Sequence, residues 1–234
     1  MRIVIAGAGS VGRSIARELL ANGHRVLLVD RDPEAIRVTS VPEAQWLLAD
    51  ACEIASLDDA GLADCDVVVA ASGDDKVNLV VSLLAKTEYG VPRTVARVNN
   101  PKNEWMFDEG WGVDVAVSTP RLMTALVEEA VSVGDLVRIF TFQQSHANMV
   151  ELTLPPDSPL AGTLVGELEL PPDTVLVAIL REERPIAPSR DDALEANDEL
   201  MFITVPESED ALQELLSPGR GAPDRPAQDQ PRRR

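Results

Sequence analysis

Residues 3–12 read Ile-Val-Ile-Ala-Gly-Ala-Gly-Ser-Val-Gly, and 18 residues after Gly12 a second apolar run, Val26 to Val29, ends at Asp30. An apolar strand therefore runs into a Gly-x-Gly-x-x-Gly turn, a helix follows, and the next strand ends in an acid. Gly7 suits the tight turn, Gly9 lets the backbone approach a phosphate, and Gly12 lets the helix pack close to the sheet. The N–H groups at the helix start then face the phosphates. Asp30 stands where a carboxylate accepts hydrogen bonds from a ribose diol, and a 2′-phosphate there would meet its charge. Strands, turn, helix and acid together predict a dinucleotide or nucleotide site.

Outward from this unit, strand-like runs occur at 2–6, 25–29, 46–49, 66–71, 94–98 and 114–117. Helical segments fit between them, at about 10–22, 33–40, 53–60, 75–89 and 101–109. Such alternation, with fully apolar strands, indicates a parallel sheet covered on both faces. Six strands complete a Rossmann-like, doubly wound α/β domain over 1–118. In Ser118-Thr119-Pro120, Thr119 suits an N-cap and Pro120 the first helical position. Leu122, Met123, Leu126, Val127 and Ala130 then form an apolar stripe at helical spacing, closed by Gly134. Residues 119–134 read as a connector between two domains, or as an arm that packs on another subunit. Beyond them, a hairpin at 136–142 and 148–154, a short helix near 160–168, strands near 174–180 and 199–205, and a helix over about 207–216 predict a second, smaller α+β domain at 135–216. Residues 217–234, rich in proline, glycine, glutamine and charge, read as a disordered tail.

The 234 residues are 45% hydrophobic and only 3% aromatic, so valine, leucine and alanine must build the interior. No apolar run approaches the roughly 20 residues that span a bilayer. The N-terminus enters a strand directly, without a signal peptide, and a cytoplasmic setting is expected. Cys52 and Cys65 lack CxxC or zinc spacing and read as reduced thiols. The net charge of −18 is unevenly spread. Residues 1–134 hold 12 basic and 20 acidic groups, 135–216 hold 4 and 17, and 217–234 hold 5 and 2. An acidic body repels nucleic-acid phosphates and counts against DNA or RNA as a partner.

Ligands of open α/β sheets bind outside the carboxyl ends of the strands. Asp50 follows the third strand there. Ser72, Gly73, Asp74 and Asp75 follow the fourth, with Asn78 in the next helix, and Arg97 and Asn99 end the fifth. Each also fits a helix cap or turn, and Asp74 and Asp75 read equally either way. Asp50 and Arg97 are the stronger candidates. One ends an apolar strand beside the expected nucleotide; the other is a charge in an otherwise apolar strand end. Catalytic chemistry is poorly provided for. His24 lies in the turn before the second strand, on the wrong edge, and His146 lies in a polar hairpin turn. No Ser-His-Asp order, metal-ligand cluster or lysine-nucleophile motif is present. The enzymatic alternative is a small NAD-dependent oxidoreductase of the precorrin-dehydrogenase type, with Asp74 or Asp75 as its acid or base. A redox-sensing transcription factor is opposed by the acidic body.

Several segments stand in a specific order. They are Gly7-Ala8-Gly9-Ser10-Val11-Gly12, Val29-Asp30-Arg31-Asp32-Pro33-Glu34, Ala49-Asp50-Ala51, Ala71-Ser72-Gly73-Asp74-Asp75-Lys76-Val77-Asn78 and Ala96-Arg97-Val98-Asn99. The second half adds Ser158-Pro159-Leu160-Ala161-Gly162, Val177-Ala178-Ile179-Leu180-Arg181 with Pro185-Ile186-Ala187-Pro188, and Asn197-Asp198-Glu199-Leu200. Over about residues 1–216 this set resembles the TrkA/KtrA family of cytosolic potassium-uptake regulators, whose module is called RCK or KTN.

The resemblance implies a regulator rather than an enzyme. It implies NAD(H), ADP or ATP in the Rossmann cleft, held by Gly7, Gly9, Ser10, Val11, Gly12, Asp30, Arg31, Asp50, Ala51, Ser72, Gly73, Asp74, Asn78 and Arg97. It also implies a homodimer through the connector helix, a ring assembly, and docking on a membrane potassium channel-like subunit of TrkH/KtrB type. In such a ring, nucleotide exchange changes the angle between lobes and pulls on the pore, a coupling free energy between two sites. Many family members carry arginine directly after the second glycine, where Ser10 stands, so ATP is expected to gain little over ADP. Some carry a cation-holding Pro-Glu pair where Pro120-Arg121 stands, so no metal is expected there. In several relatives the C-terminal domain binds cyclic di-AMP across a two-fold axis. Ile179, Arg181, Ile186 and Pro188 are the candidates here, with apolar groups for the adenines and an arginine for the phosphates. A competing reading pairs Arg181 with a surface acid such as Glu182 or Glu183.

Overall fold

The computed structural model describes residues 1–131, 133–142 and 145–217. They form two compact units that divide between Arg121 and Leu122. The expected tail from 218 onward, and the side chain of Ala130 in the apolar stripe, lie outside the described residues.

The first unit is built on six parallel strands: β1 (Arg2–Ala6), β2 (Arg25–Asp30), β3 (Gln45–Leu48), β4 (Val67–Ala70), β5 (Arg93–Val98) and β6 (Val115–Ser118). Their order in the sheet is β3-β2-β1-β4-β5-β6. This is the doubly wound Rossmann order, in which the winding reverses between β1 and β4. Alternate residues of each strand point to opposite faces. Val4, Ala6, Leu27, Val29 and Val68 join one apolar core with Leu57, Leu79 and Val81. Ile3, Ile5, Val26, Leu28 and Val69 join a second core with Ala16 and Val41. The continuous apolar runs in the sequence follow from burial on both faces. Helices α1 (Ser10–Ala21), α2 (Ile54–Asp59) and α3 (Asp75–Thr87) are the crossovers.

Two expected helices are corrected. Over 33–40 the chain makes turns and a single 3-10 turn, Val38–Ser40. Val38, Thr39 and Ser40 are weak helix formers, and Pro42 keeps Val41 out of the helical region, at φ −145° and ψ 76°. Over 101–109 there are two 3-10 segments, Pro101–Met106 and Glu109–Trp111. Asn100 caps the first by accepting the Lys102 N–H, and Asp108 caps the second by accepting the Trp111 N–H. Each cap starts a new short turn in place of one long helix.

The second unit contains most of α4 (Thr119–Val131), followed by an antiparallel sheet. Its strands are β7 (Val137–Phe142), β8 (Ala147–Thr153), β9 (Val175–Arg181), β10 (Arg184–Ile186) and β11 (Glu199–Thr204), in the order β10-β9-β11-β8-β7. One face packs Val150, Leu152, Ile179, Leu200 and Phe202 against Leu212 and Leu216 of α5 (Glu209–Leu216). The helix expected near 160–168 is reduced to a 3-10 turn, Val165–Glu167. Its amides are engaged at long range: Gly162, Val165 and Gly166 donate to the carbonyls of Leu194, Asp192 and Arg190. Strand β10 lies in a stretch that reads as a turn; it is three residues long and at the sheet edge, where Pro185 is tolerated.

Candidate nucleotide site

At the carboxyl ends of β1 to β5 lies a cleft of about 440 Å³, within the usual size of small-molecule sites. Its walls are Ala6, Gly7, Gly9, Ser10, Val11, Val29, Asp30, Arg31, Ala49, Asp50, Ala51, Ala71, Ser72, Gly73, Asp74, Val77 and Arg97. Twelve of the fourteen residues predicted for this site are on that wall, with Gly12 and Asn78 behind it.

The three glycines differ in their surroundings. Gly7 has φ +110°, and a Cβ there would lie 2.7 Å from the Ser72 nitrogen. A Cβ on Gly12 would lie 1.9 Å from the Gly7 carbonyl oxygen, so the helix rests directly on the turn. Around Gly9 nothing comes within 4 Å of the added atom. That open space is the cleft. Gly9 is also the N-cap of α1 and supplies no side-chain cap, so the first helical N–H groups, at Ser10 and Val11, are left uncapped beside the cleft.

Asp30 is tied into the turn. One carboxylate oxygen accepts the Ala8 N–H at 2.7 Å and the other the Asp32 N–H at 2.9 Å. Arg13, one turn into α1, donates to the Ala8 carbonyl, so its charge braces the turn. On the far lip, Asp50 accepts the Cys52 N–H at 2.9 Å and faces Arg31 at 3.4 Å. The Cys52 N–H, helped by Arg31 and opposed by burial, holds the Asp50 carboxyl below its ordinary range. Burial, and then the Asp50 charge, push the Cys52 thiol up to about 11, which leaves it protonated and unreactive.

The β4 side is held by amides. Asn78, fully buried, accepts the Ser72 N–H at 2.9 Å and donates to the carbonyls of Ser72 and Arg97. Asp74 caps α3 through the Lys76 N–H. Asp75 is 7% exposed and accepts from the backbone of Asn99 and Asn100 and from the Asn103 side chain. Burial raises its pKa, but these donors outweigh it and leave the carboxyl below the ordinary range. Asp75 is therefore a structural latch, a role that its position alone did not reveal. Arg97 lines the cleft and donates Nε to Thr119 Oγ1 at 3.2 Å.

The candidates in the second unit are not assembled into a site. Ile179 is fully buried in the core, and Ile186 packs against it. Arg181 clamps the fully buried carboxylate of Asp198 with Nε and Nη2, at 2.7 and 2.8 Å. It also bonds Glu195 and the Ala193 carbonyl. Asp198 raises the Arg181 pKa further. The competing reading of an acid partner holds, with Asp198 and Glu195 in place of Glu182 and Glu183. Among the described residues no group of three or more His, Cys, Asp or Glu could hold a metal ion. No described helix is long and apolar enough to cross a membrane.

Comparison with known proteins fits this geometry. The TrkA-N domain model matches residues 3–119 and the TrkA-C domain model residues 149–217. The Trk system potassium uptake protein TrkA of Mycobacterium tuberculosis is 55% identical over 218 residues, covering 93% of this chain and 99% of that one. The TrkA homolog of Methanothermobacter thermautotrophicus is 28% identical, covering 83% of this chain and 89% of that one. The Vibrio alginolyticus TrkA is also 28% identical, and the match covers 87% of this chain but 46% of that longer one. Among solved structures, the GsuK channel bound to NAD shares the fold, with a TM-score of 0.65 at 17% identity, covering 95% of this chain and 40% of that one. Two family models in that order, and a relative matched from end to end, show that the chain belongs to the TrkA family.

Proposed function

We propose that the chain is a cytoplasmic, nucleotide-sensing regulatory subunit of a membrane potassium uptake system. The observation that carries this is the 55% identity to the Mycobacterium tuberculosis TrkA over 93% of this chain. A match through both units speaks for the whole arrangement, whereas a Rossmann sheet alone is shared with many enzymes. The cleft is the sensing end. Glycine-turn amides and the α1 N-terminus favour phosphates, and Asp30 favours a free ribose diol. The ligand is accordingly NAD(H), or ADP or ATP. Ser10 offers no charge to a third phosphate, and Arg13 is engaged with the Ala8 carbonyl.

Enzymatic turnover has little support in the cleft. No histidine, lysine, cysteine or tyrosine lines it. Asp74 is engaged as a helix cap and Asp75 as a latch. Output to the membrane partner, a potassium channel-like subunit of TrkH/KtrB type, runs through an assembly. Leu122, Met123, Leu126 and Val127 of α4 are exposed and offer a dimer face from which a ring can be built. Cyclic di-AMP is not part of this reading, because Arg181 is committed to Asp198.

Calorimetric titration with NAD⁺, NADH, NADP(H), ADP and ATP tests the sensing end. Growth at limiting potassium, in cells supplied with this chain and its membrane subunit, tests the output. Nucleotide binding together with rescue supports the proposal. No binding at millimolar nucleotide, or steady hydride transfer to a small substrate, overturns it.

A further inference from the structure

Arg97 joins the cleft to the start of α4. It is the penultimate residue of β5, beside Val117 of β6, and the last pair in register is Val98 with Ser118. Arg97 lines the cleft while its Nε donates to Thr119, the first residue of α4. The backbone at this point is fixed separately, by the Asn78 amide on the Arg97 carbonyl at 2.8 Å. Among the described residues the bond to Thr119 is the one hydrogen bond of the Arg97 side chain, so its two Nη groups have no partner. A half-buried guanidinium with a fixed base and two open donors on a cleft wall suits a phosphate.

The junction that Arg97 fastens is lightly held. Ser118 Oγ, next to Thr119, is buried and has no hydrogen-bond partner. Among the described residues this turn also has the ion pair of Arg121 with Glu104, whose side chains are 55% and 34% exposed. Exposed pairs of that kind contribute little.

We propose that Arg97 has two positions: on Thr119 when no anion occupies the cleft, and on a ligand phosphate when one does, which frees the first turn of α4. This rests on the cleft taking a phosphate-bearing ligand, as proposed above. A phosphate is a charged acceptor and outcompetes a neutral hydroxyl, since charge-assisted hydrogen bonds are roughly twice as strong. The ligand therefore wins Arg97 but loses the worth of the Thr119 bond. By linkage, the same free energy loosens α4 when ligand binds.

Thr119→Val removes the acceptor and keeps the shape; Thr119→Ser keeps the hydroxyl. Both, with Arg97→Gln and the double variant Arg97→Gln/Thr119→Val, are titrated with ADP and NADH. Amide exchange is followed at residues 123–126, whose N–H groups bond first-turn carbonyls. Thr119→Val is expected to bind about two- to tenfold tighter, the worth of one net hydrogen bond, and Thr119→Ser to match the wild type. Arg97→Gln should bind more weakly, with no further effect of Thr119→Val upon it. Ligand should speed exchange at 123–126 in the wild type and leave it unchanged in Thr119→Val. Equal or weaker binding by Thr119→Val, or exchange indifferent to ligand in the wild type, overturns the relay while the nucleotide site stands. If the wild type binds neither nucleotide, the site reading falls and takes the relay with it.

Discussion

The Asp30 carboxylate accepts the Ala8 N–H at 2.7 Å, so the acid at the end of β2 and the turn after β1 are one hydrogen-bonded unit. Removing the acid therefore alters two things at once, the reader of the ribose and the shape of the phosphate turn. Asp30→Ala is expected to weaken NADH binding by about 1–3 kcal/mol, the scale of a hydrogen bond to a charged group. In the wild type, NADP(H) should bind much more weakly than NAD(H). Equal affinities in calorimetry would remove Asp30 from the ribose.

Gly9 and Gly12 separate binding from folding. Gly12→Ala sets a methyl 1.9 Å from the Gly7 carbonyl oxygen and should cost about 1–3 kcal/mol of stability, as overpacking does. Gly9→Ala meets nothing within 4 Å, at φ −64°, which alanine adopts freely. It should melt with the wild type yet bind nucleotide at least about tenfold more weakly, because the methyl stands between the phosphate and the amides. Thermal melts and titrations of the two variants check the contrast.

Acid sensitivity should be traceable to Asp75. Its folded carboxyl lies below the ordinary value of 3.8. The stabilisation is therefore fully present above that value and is lost as pH falls below it through the folded pKa. The urea midpoint of the wild type should drop as pH falls below about 4. Asp75→Asn should be less stable at pH 7 by about 2 kcal/mol, the scale of lost charged hydrogen bonds, and should show a smaller acid drop. A drop of the same size in both proteins would place the sensitivity elsewhere.

Arg181→Ala leaves the Asp198 carboxylate, fully buried, without its cation. Breaking one side of a buried pair costs about 3–5 kcal/mol, and a large fall in melting temperature is expected. Cyclic di-AMP at tens of micromolar should give no heat with the wild type. Binding that Arg181→Ala abolishes without loss of stability would reverse this assignment.

On α4, Met123, Leu126 and Val127 are 60%, 55% and 57% exposed. Such a stripe rarely stays bare on a soluble chain. Light scattering at micromolar concentration should show a dimer, and Leu126→Glu should shift it to monomer. A wild type that is only monomeric would leave this face without a second subunit.

The strands and the glycine turn were legible because both rest on local chemistry: apolar runs buried on two faces, and glycines where a Cβ has no room. The cleft wall followed from topology, since loops after parallel strands must gather at the switch point. What escaped was set by distant partners. Asp75 reads equally as a cap or as a site residue until the loop at 99–103 folds over it. The helix expected at 160–168 is undone by carbonyls at 190–194.

The different surroundings of the glycines also set how the chain can diverge. A copy released from nucleotide sensing would still need Gly7 and Gly12, since their hydrogens are enclosed by backbone. Gly9 would be free to drift at once. In a lineage of such copies, loss at Gly9 beside an intact Gly7 and Gly12 would mark a module kept as scaffold after its ligand was abandoned.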